Sequence, residues 1–258
     1  MLLEDKNAVV YGAGGGIGGG VARTFAREGA RVFLAGRTRE PLETAANDIE
    51  AAGGRAEVAL VDALDGRALD ERVGEIVERA GSIDVSFNAI SIQDVQLIPL
   101  VDMSSEDFML PIATGATTHF LTARAAARHM AAQGSGVILT LSASAVRAFA
   151  PGVHVGGFGI ACTAIEALTK QLAAELGQSG TRVNCLRLEG IPETWEGAST
   201  EDWSASTDEI EAFLKQRSLL GRVTTLADVG NAATFLASER AGATTGTVFN
   251  LTSGTVVD

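Results

Sequence analysis

One tyrosine, two cysteines, three histidines and three lysines are all that this 258-residue chain holds of those types, and each scarcity excludes something. Cys162 and Cys185 are too few for a disulfide framework, and the histidines show no ligand spacing around them, so no metal site is expected. No apolar run approaches the roughly 20 residues that span a bilayer. The start, Met1-Leu2-Leu3-Glu4-Asp5-Lys6, lacks the charged-then-apolar pattern of a signal peptide, which makes the cytoplasm the expected location. Positive charge is short as well: 20 Lys and Arg face 32 Asp and Glu, a net charge of −12. Binding to a nucleic-acid backbone relies on basic side chains and is not expected; a small molecule or a protein is the expected partner.

Against those absences stands an apolar fraction of 46%, arranged in short strand-length runs between amphipathic segments. Asn7–Tyr11 reads as a buried strand, followed by glycines and a helical pattern over Ile17–Glu28. The alternation repeats with strands at Arg31–Ala35, Ala56–Val61 and Ile83–Asn88 and helices at Glu40–Ala52 and Arg67–Ala80. Beyond them come helices at Ser105–Ala132, Phe158–Leu176 and Leu226–Leu236, and strands at Val137–Leu141, Arg182–Leu188 and Thr247–Leu251. Thr225 and Asp228 are placed as a capping pair for the last helix. This order predicts one α/β domain over 1–258: a doubly wound parallel sheet of about seven strands with helices on both faces. A polar, acidic insertion occupies 192–222, with Trp195, Trp203 and a short helix expected over Asp208–Arg217.

The segment Gly12-Ala13-Gly14-Gly15-Gly16-Ile17-Gly18 lies between the first strand and the first helix. Residues without a Cβ let a backbone approach a pyrophosphate, and the helix N-terminus faces it with free N–H groups. Gly12, Gly14, Gly16, Ile17 and Gly18 are therefore the candidate phosphate cradle. The second strand ends Ala35-Gly36-Arg37-Thr38-Arg39, with arginine where a binder of NAD usually places an acid. A guanidinium pairs well with a 2′-phosphate, so Arg37, helped by Arg39, points to NADP(H) over NAD(H).

Gly-x-x-x-Gly-x-Gly at 12–18, Asn88-Ala89-Ile90-Ser91, Thr181-Arg182-Val183-Asn184, Leu220-Gly221-Arg222 and Phe235-Leu236-Ala237-Ser238 resemble the short-chain dehydrogenase/reductase family over nearly the whole chain. The resemblance implies a Rossmann-like fold, a nicotinamide cofactor and a small-molecule substrate. It implies an adenine contact at Asp62 and carries Asn88 over from the family's Asn-Asn-Ala-Gly. Aligning Glu189–Thr194 with Pro-Gly-x-Val-x-Thr, with one residue inserted, implies that Ile191 and Thr194 approach the nicotinamide. It also implies a homodimer or homotetramer through the two long helices, where the alanine-rich stretch Ala123–Ala132 suits close packing.

The family's catalytic Tyr-x-x-x-Lys falls on Phe158-Gly159-Ile160-Ala161-Cys162, and its relay asparagine on Gly115. Lys6, Lys170 and Lys215 fit no catalytic position, and Tyr11 ends the first strand as core packing. The family's serine persists as Ser142 or Ser144: counting from the strand reaches Ala143, whereas counting back from Phe158 falls within one residue of Ser144. His154, four residues before Phe158, is a candidate proton donor. Cys162, with no electropositive neighbour in the sequence, is expected as a buried thiol. Three functions remain open: an NADP(H)-dependent oxidoreductase with an altered proton site, a regulatory protein that binds the nucleotide without turnover, and a non-redox catalyst.

Overall fold

The run Asn7–Tyr11 is buried along its whole length and forms β1, from which the sheet extends in both directions. The computed structural model describes residues 1–147, 153–195 and 206–258. Six further strands are β2 (Arg31–Gly36), β3 (Arg55–Leu60), β4 (Val85–Asn88), β5 (Gly136–Ala143), β6 (Thr181–Leu188) and β7 (Val248–Leu251). They lie in the order β3-β2-β1-β4-β5-β6-β7, and every neighbouring pair is parallel. This is the Rossmann-like doubly wound sheet. Strand order reverses between β1 and β4, where Tyr11 pairs with Asn88, and the carboxyl ends there open the crevice in which such folds take ligands.

Side chains alternate across a strand, so β1 feeds two cores. Val10 joins Val21, Phe25, Val229 and Leu236 on the face covered by α1 (Gly16–Arg27) and α7 (Leu226–Ala237). Val9 and Tyr11 join Leu69, Val73, Leu121 and Met130 on the face covered by α3 (Gly66–Ala80) and α4 (Ser105–Gln133). The first core also takes Leu42 and Ile49 of α2 (Arg39–Ala51). The Thr225–Asp228 capping box forms as the sequence indicates, each side chain bonding the other's backbone N–H.

Local chemistry explains the departures from the periodic reading. β4 starts at Val85, two residues late, because the Asp84 carboxylate takes the Asn7 N–H at 2.8 Å. β5 runs two residues further than expected, with Ser142 and Ala143 pairing Arg187 and Leu188 of β6. Pro111 sits inside α4 without ending it, and α5 (Gly156–Leu176) crosses so closely there that a Cβ on Gly157 would meet the Pro111 ring at 3.0 Å. In the stretch Ala123–Ala132, Ala123, Ala125, Ala126 and Ala127 are buried in the core, while Ala131 and Ala132 are exposed. Of the 192–222 insertion, the structure shows a single 3₁₀ turn at Pro192–Thr194 and α6 (Thr207–Arg217); Trp203 lies outside the described residues.

Candidate active site

Gly12 leaves β1 with φ +74°, and a Cβ there would meet the Ala89 carbonyl oxygen at 2.5 Å. Only glycine combines that backbone with so close a neighbour. Gly16 opens α1 facing the Pro192–Thr194 turn, and a Cβ on it would meet Thr194 Cγ2 at 2.8 Å. The bare turn and the first N–H groups of α1 thus form the floor of a crevice running across the ends of β1 and β4.

On one side of that floor is a cavity of about 310 Å³, lined by Gly12, Gly14, Arg37, Asp62, Ala89 and Thr118 among others. Arg37 is exposed and forms no ion pair among the described residues, whereas Arg39 bonds Glu43 at 3.2 Å and does not line the cavity. Asp62 accepts the Leu64 N–H at 3.0 Å, which fixes the loop after β3. Tyr11 packs in the core as expected but also lines this cavity, and its hydroxyl has no hydrogen-bond partner among the described residues. Burial, with Asp70 nearby, raises the pKa of that hydroxyl, so it stays protonated.

On the other side a cavity of about 800 Å³ is lined by Gly16, Ile17, Ser142, Ser144, Phe158, Cys162, Glu189 and Thr194, with Ile210, Phe213 and Arg217 of α6 as a further wall. Ser142 Oγ donates to Glu166 Oε1 at 2.8 Å, and Glu166 holds Arg187 by two bonds of 2.8 and 2.9 Å. Arg187 also bonds Asp258, and Glu166 raises the pKa of its guanidinium. Ser144 Oγ donates to Glu189 Oε1 at 2.8 Å, and Glu189 further accepts the Gly190 N–H at 3.1 Å and the Thr255 hydroxyl at 2.8 Å. Asp94, bonded by Gln96, lines the same cavity, and burial raises its pKa.

His119 of α4 reaches this cavity with its ring locked: Nδ1–H donates to the Gly115 carbonyl at 2.9 Å, and Nε2 faces the Leu141 N–H at 3.5 Å. Burial lowers its pKa to about 4, so the ring is neutral. Cys162 is 1% exposed and burial pushes its thiol to about 12; Cys185, behind it, rises to about 11. Neither is a thiolate at neutral pH.

The structure therefore gathers Ser142, Ser144, Phe158 and Cys162 around one cavity with Gly16, Ile17 and Thr194. His154 is not among its lining residues; its carbonyl accepts the Leu97 N–H at 2.8 Å. Asn88 is turned inward: its side chain donates to Thr122 at 2.9 Å and accepts the Ile90 N–H at 2.9 Å, shaping the crevice wall from behind. Ile191 is 2% exposed within the core. Glu189, Asp94 and His119 are the residues the sequence reading passed over. Glu189 directly follows β6, at the sheet edge where such folds bind ligands, but its partners Ser144 and Thr255 come from other segments.

Strand order and glycine turn together are the architecture of the dinucleotide-binding α/β class. Residues 12–255 match the family model described as enoyl-(acyl carrier protein) reductase. Gluconate 5-dehydrogenase of Gluconobacter oxydans is 29% identical over 99% of this chain and 96% of its own. The short-chain reductase protein NovJ of Streptomyces niveus is 30% identical over 98% and 95%. A solved gluconate 5-dehydrogenase from Burkholderia cenocepacia, in complex with NADP and tartrate, superposes with a TM-score of 0.86 at 26% identity, covering 98% of this chain and 96% of that one. The chain belongs to the short-chain dehydrogenase/reductase family. Among the described residues, no helix is long and apolar enough to cross a membrane and no group of potential ligands could hold a metal ion.

Proposed function

We propose that the protein is an NADP(H)-dependent oxidoreductase acting on a small molecule, with a proton-transfer site unlike that of its family. The observation that carries this reading is the continuity of the crevice. Gly15, Ala89, Ile90, Ser91 and Ile92 line both cavities, so one groove joins Arg37 at one end to Ser144 and Glu189 at the other. The residues fit a nicotinamide dinucleotide on three counts: a cradle that a Cβ on Gly12 or Gly16 would fill and, among the described residues, an unpaired guanidinium at Arg37 and an unpartnered hydroxyl at Tyr11. The solved gluconate 5-dehydrogenase bound to NADP supports the same cofactor.

In this reading Gly12, Gly14, Gly16, Ile17 and Gly18 hold the pyrophosphate, Arg37 the 2′-phosphate, Asp62 the adenine side and Thr194 the nicotinamide side. Asn88 and Ile191 support them from the core. A nicotinamide bound there supplies or accepts a hydride. Phe158 and Cys162, which we assign to the family's tyrosine and lysine positions, offer neither a phenol nor an ammonium. The polar groups at the cavity are instead Ser144 with Glu189, and Asp94; Ser142 is turned to Glu166 and His154 is not among the lining residues. Met109 and Phe120 of α4 and Ile160 of α5 are exposed apolar side chains, and we assign to them, with the exposed end of the alanine stretch, the homo-oligomer contact of the two long helices.

Calorimetric titration tests the cofactor: NADPH should bind more tightly than NADH. Transfer of deuterium from reduced cofactor, labelled on its nicotinamide ring, to a panel of carbonyls, imines and activated alkenes tests turnover. Tight binding with no transfer to any acceptor would replace this proposal with a second one, a nucleotide-binding regulator. Its supporting observation is that Phe158 and Cys162, at the positions we assign to the two usual proton carriers, put into the cavity wall an aromatic ring and a thiol that burial raises to about 12.

A further inference from the structure

Resting on the oxidoreductase reading, we infer that the substrate side of the crevice is built for a cationic N–H group, and that the compound reduced there is a protonated imine.

A serine hydroxyl carries one proton, and here both are committed. Ser142 gives its proton to Glu166 and Ser144 gives its own to Glu189. Toward the cavity Ser144 therefore shows a lone pair, which suits a donor and not a carbonyl oxygen. Glu189 accepts from a serine, a threonine and a backbone N–H, and among the described residues no lysine, arginine or histidine pairs with it. Two bonds fall on Oε1 and one on Oε2, which leaves an acceptor position of the carboxylate open. Asp94 adds a second carboxyl to the wall, and the ring of Phe158 offers a face that attracts cations. Two arginines line the cavity as well, each with a partner: Arg147 lies 3.6 Å from Asp258, and Arg217 stacks 5.3 Å over Phe213.

The part of the wall formed by Ser144 and Glu189 presents acceptors and is poorly suited to reducing a ketone, whose oxygen needs a donor as negative charge develops on it. An iminium brings its proton on nitrogen. Its carbon gains the hydride of the reduced cofactor, the C=N π pair moves onto nitrogen, and the resulting amine takes a proton from water. The cofactor is oxidised by two electrons and the imine reduced by two, so the missing phenol is not needed.

The test pairs dihydroisoquinoline with tetralone, a ketone of the same bicyclic shape, and follows deuterium transfer from labelled NADPH. The imine is expected to react at least about tenfold faster in kcat/KM, with Glu189→Gln lowering the imine rate at least about tenfold while NADPH affinity holds within about twofold. A binding arm needs no turnover: tetrahydroisoquinoline, a cation, is titrated into the NADP⁺-loaded protein beside tetralin carboxylate. The amine should bind more tightly, and Glu189→Gln or Asp94→Asn should weaken it. Equal or faster reduction of the ketone overturns the inference and leaves the oxidoreductase reading intact. Cofactor binding without transfer to either compound overturns imine reduction and leaves the oxidoreductase reading to the wider panel, and the binding arm then decides the cation site alone. Preference for the carboxylate overturns it, even if neither variant folds.

Discussion

The imidazole of His119 lies between two backbone groups, giving its Nδ1 proton to the Gly115 carbonyl at 2.9 Å and facing the Leu141 N–H with Nε2 at 3.5 Å. The second contact requires the neutral ring, and together the two tie α4 to β5 beneath the larger cavity.

That neutrality carries a pH dependence. Burial holds His119 near 4 in the folded protein, below the roughly 6.5 of an unfolded chain. The unfolded state alone takes up a proton between those values, so this contribution to stability is complete above about 6.5 and lost as pH falls to about 4. The full loss is about 3 kcal/mol. Urea unfolding at pH 7 and at about pH 4.5 should show His119→Gln losing about 2 kcal/mol less than the parent over that interval. An identical loss in both would remove His119 as the cause.

Arg37 should set cofactor choice on its own. Charge-assisted bonds to a phosphate contribute about 1.5–3 kcal/mol, so Arg37→Ala should weaken NADPH by about ten- to a hundredfold and leave NADH within about twofold. Arg39→Ala should change neither, because Arg39 is bonded to Glu43 on an exposed helix face. Calorimetric dissociation constants for the four combinations decide the matter, and equal loss of both cofactors would reassign Arg37 to general binding.

Both thiols should be silent in the native state. With Cys162 raised to about 12 and Cys185 to about 11 by burial, iodoacetamide at about pH 8 should label neither in the folded protein and both in urea. Mass spectrometry reads the adducts. Rapid native labelling of Cys162 would show that the cavity wall opens to it.

Glu166 and Arg187 form a buried pair whose halves depend on each other. Removing one leaves an uncompensated charge, so Glu166→Gln or Arg187→Met should destabilise the protein by about 3–5 kcal/mol. The double change Glu166→Leu with Arg187→Met should recover most of that loss, read from chemical unfolding curves. Additive losses in the double variant would refute the coupling.

Periodicity was enough to find the strands and helices, because each buries a face whose spacing is written in the chain; Val9, Val10 and Tyr11 feeding opposite cores show this. The glycine cradle was legible for the same reason, since close backbone approach leaves only one residue type. Glu189 was hidden because its role depends on Ser144 and Thr255, which arrive from other strand ends. Arg187, inside the apolar run Cys185-Leu186-Arg187-Leu188, needs a buried counter-charge, yet nothing in the local sequence points to Glu166, 21 positions away. His154 follows the opposite course: its place in the chain suggests the pocket, but loop geometry uses its carbonyl and keeps it off the cavity wall.

The Glu166–Arg187 pair also constrains heredity. A single exchange at either site removes about 3–5 kcal/mol from a total margin of about 5–15, so a lineage carrying one change stands near the threshold of not folding. Drift at these two sites must therefore be simultaneous or pass through a compensated background. The cavity wall is held by the same constraint, because Ser142 stays bound to Glu166 for as long as the pair persists.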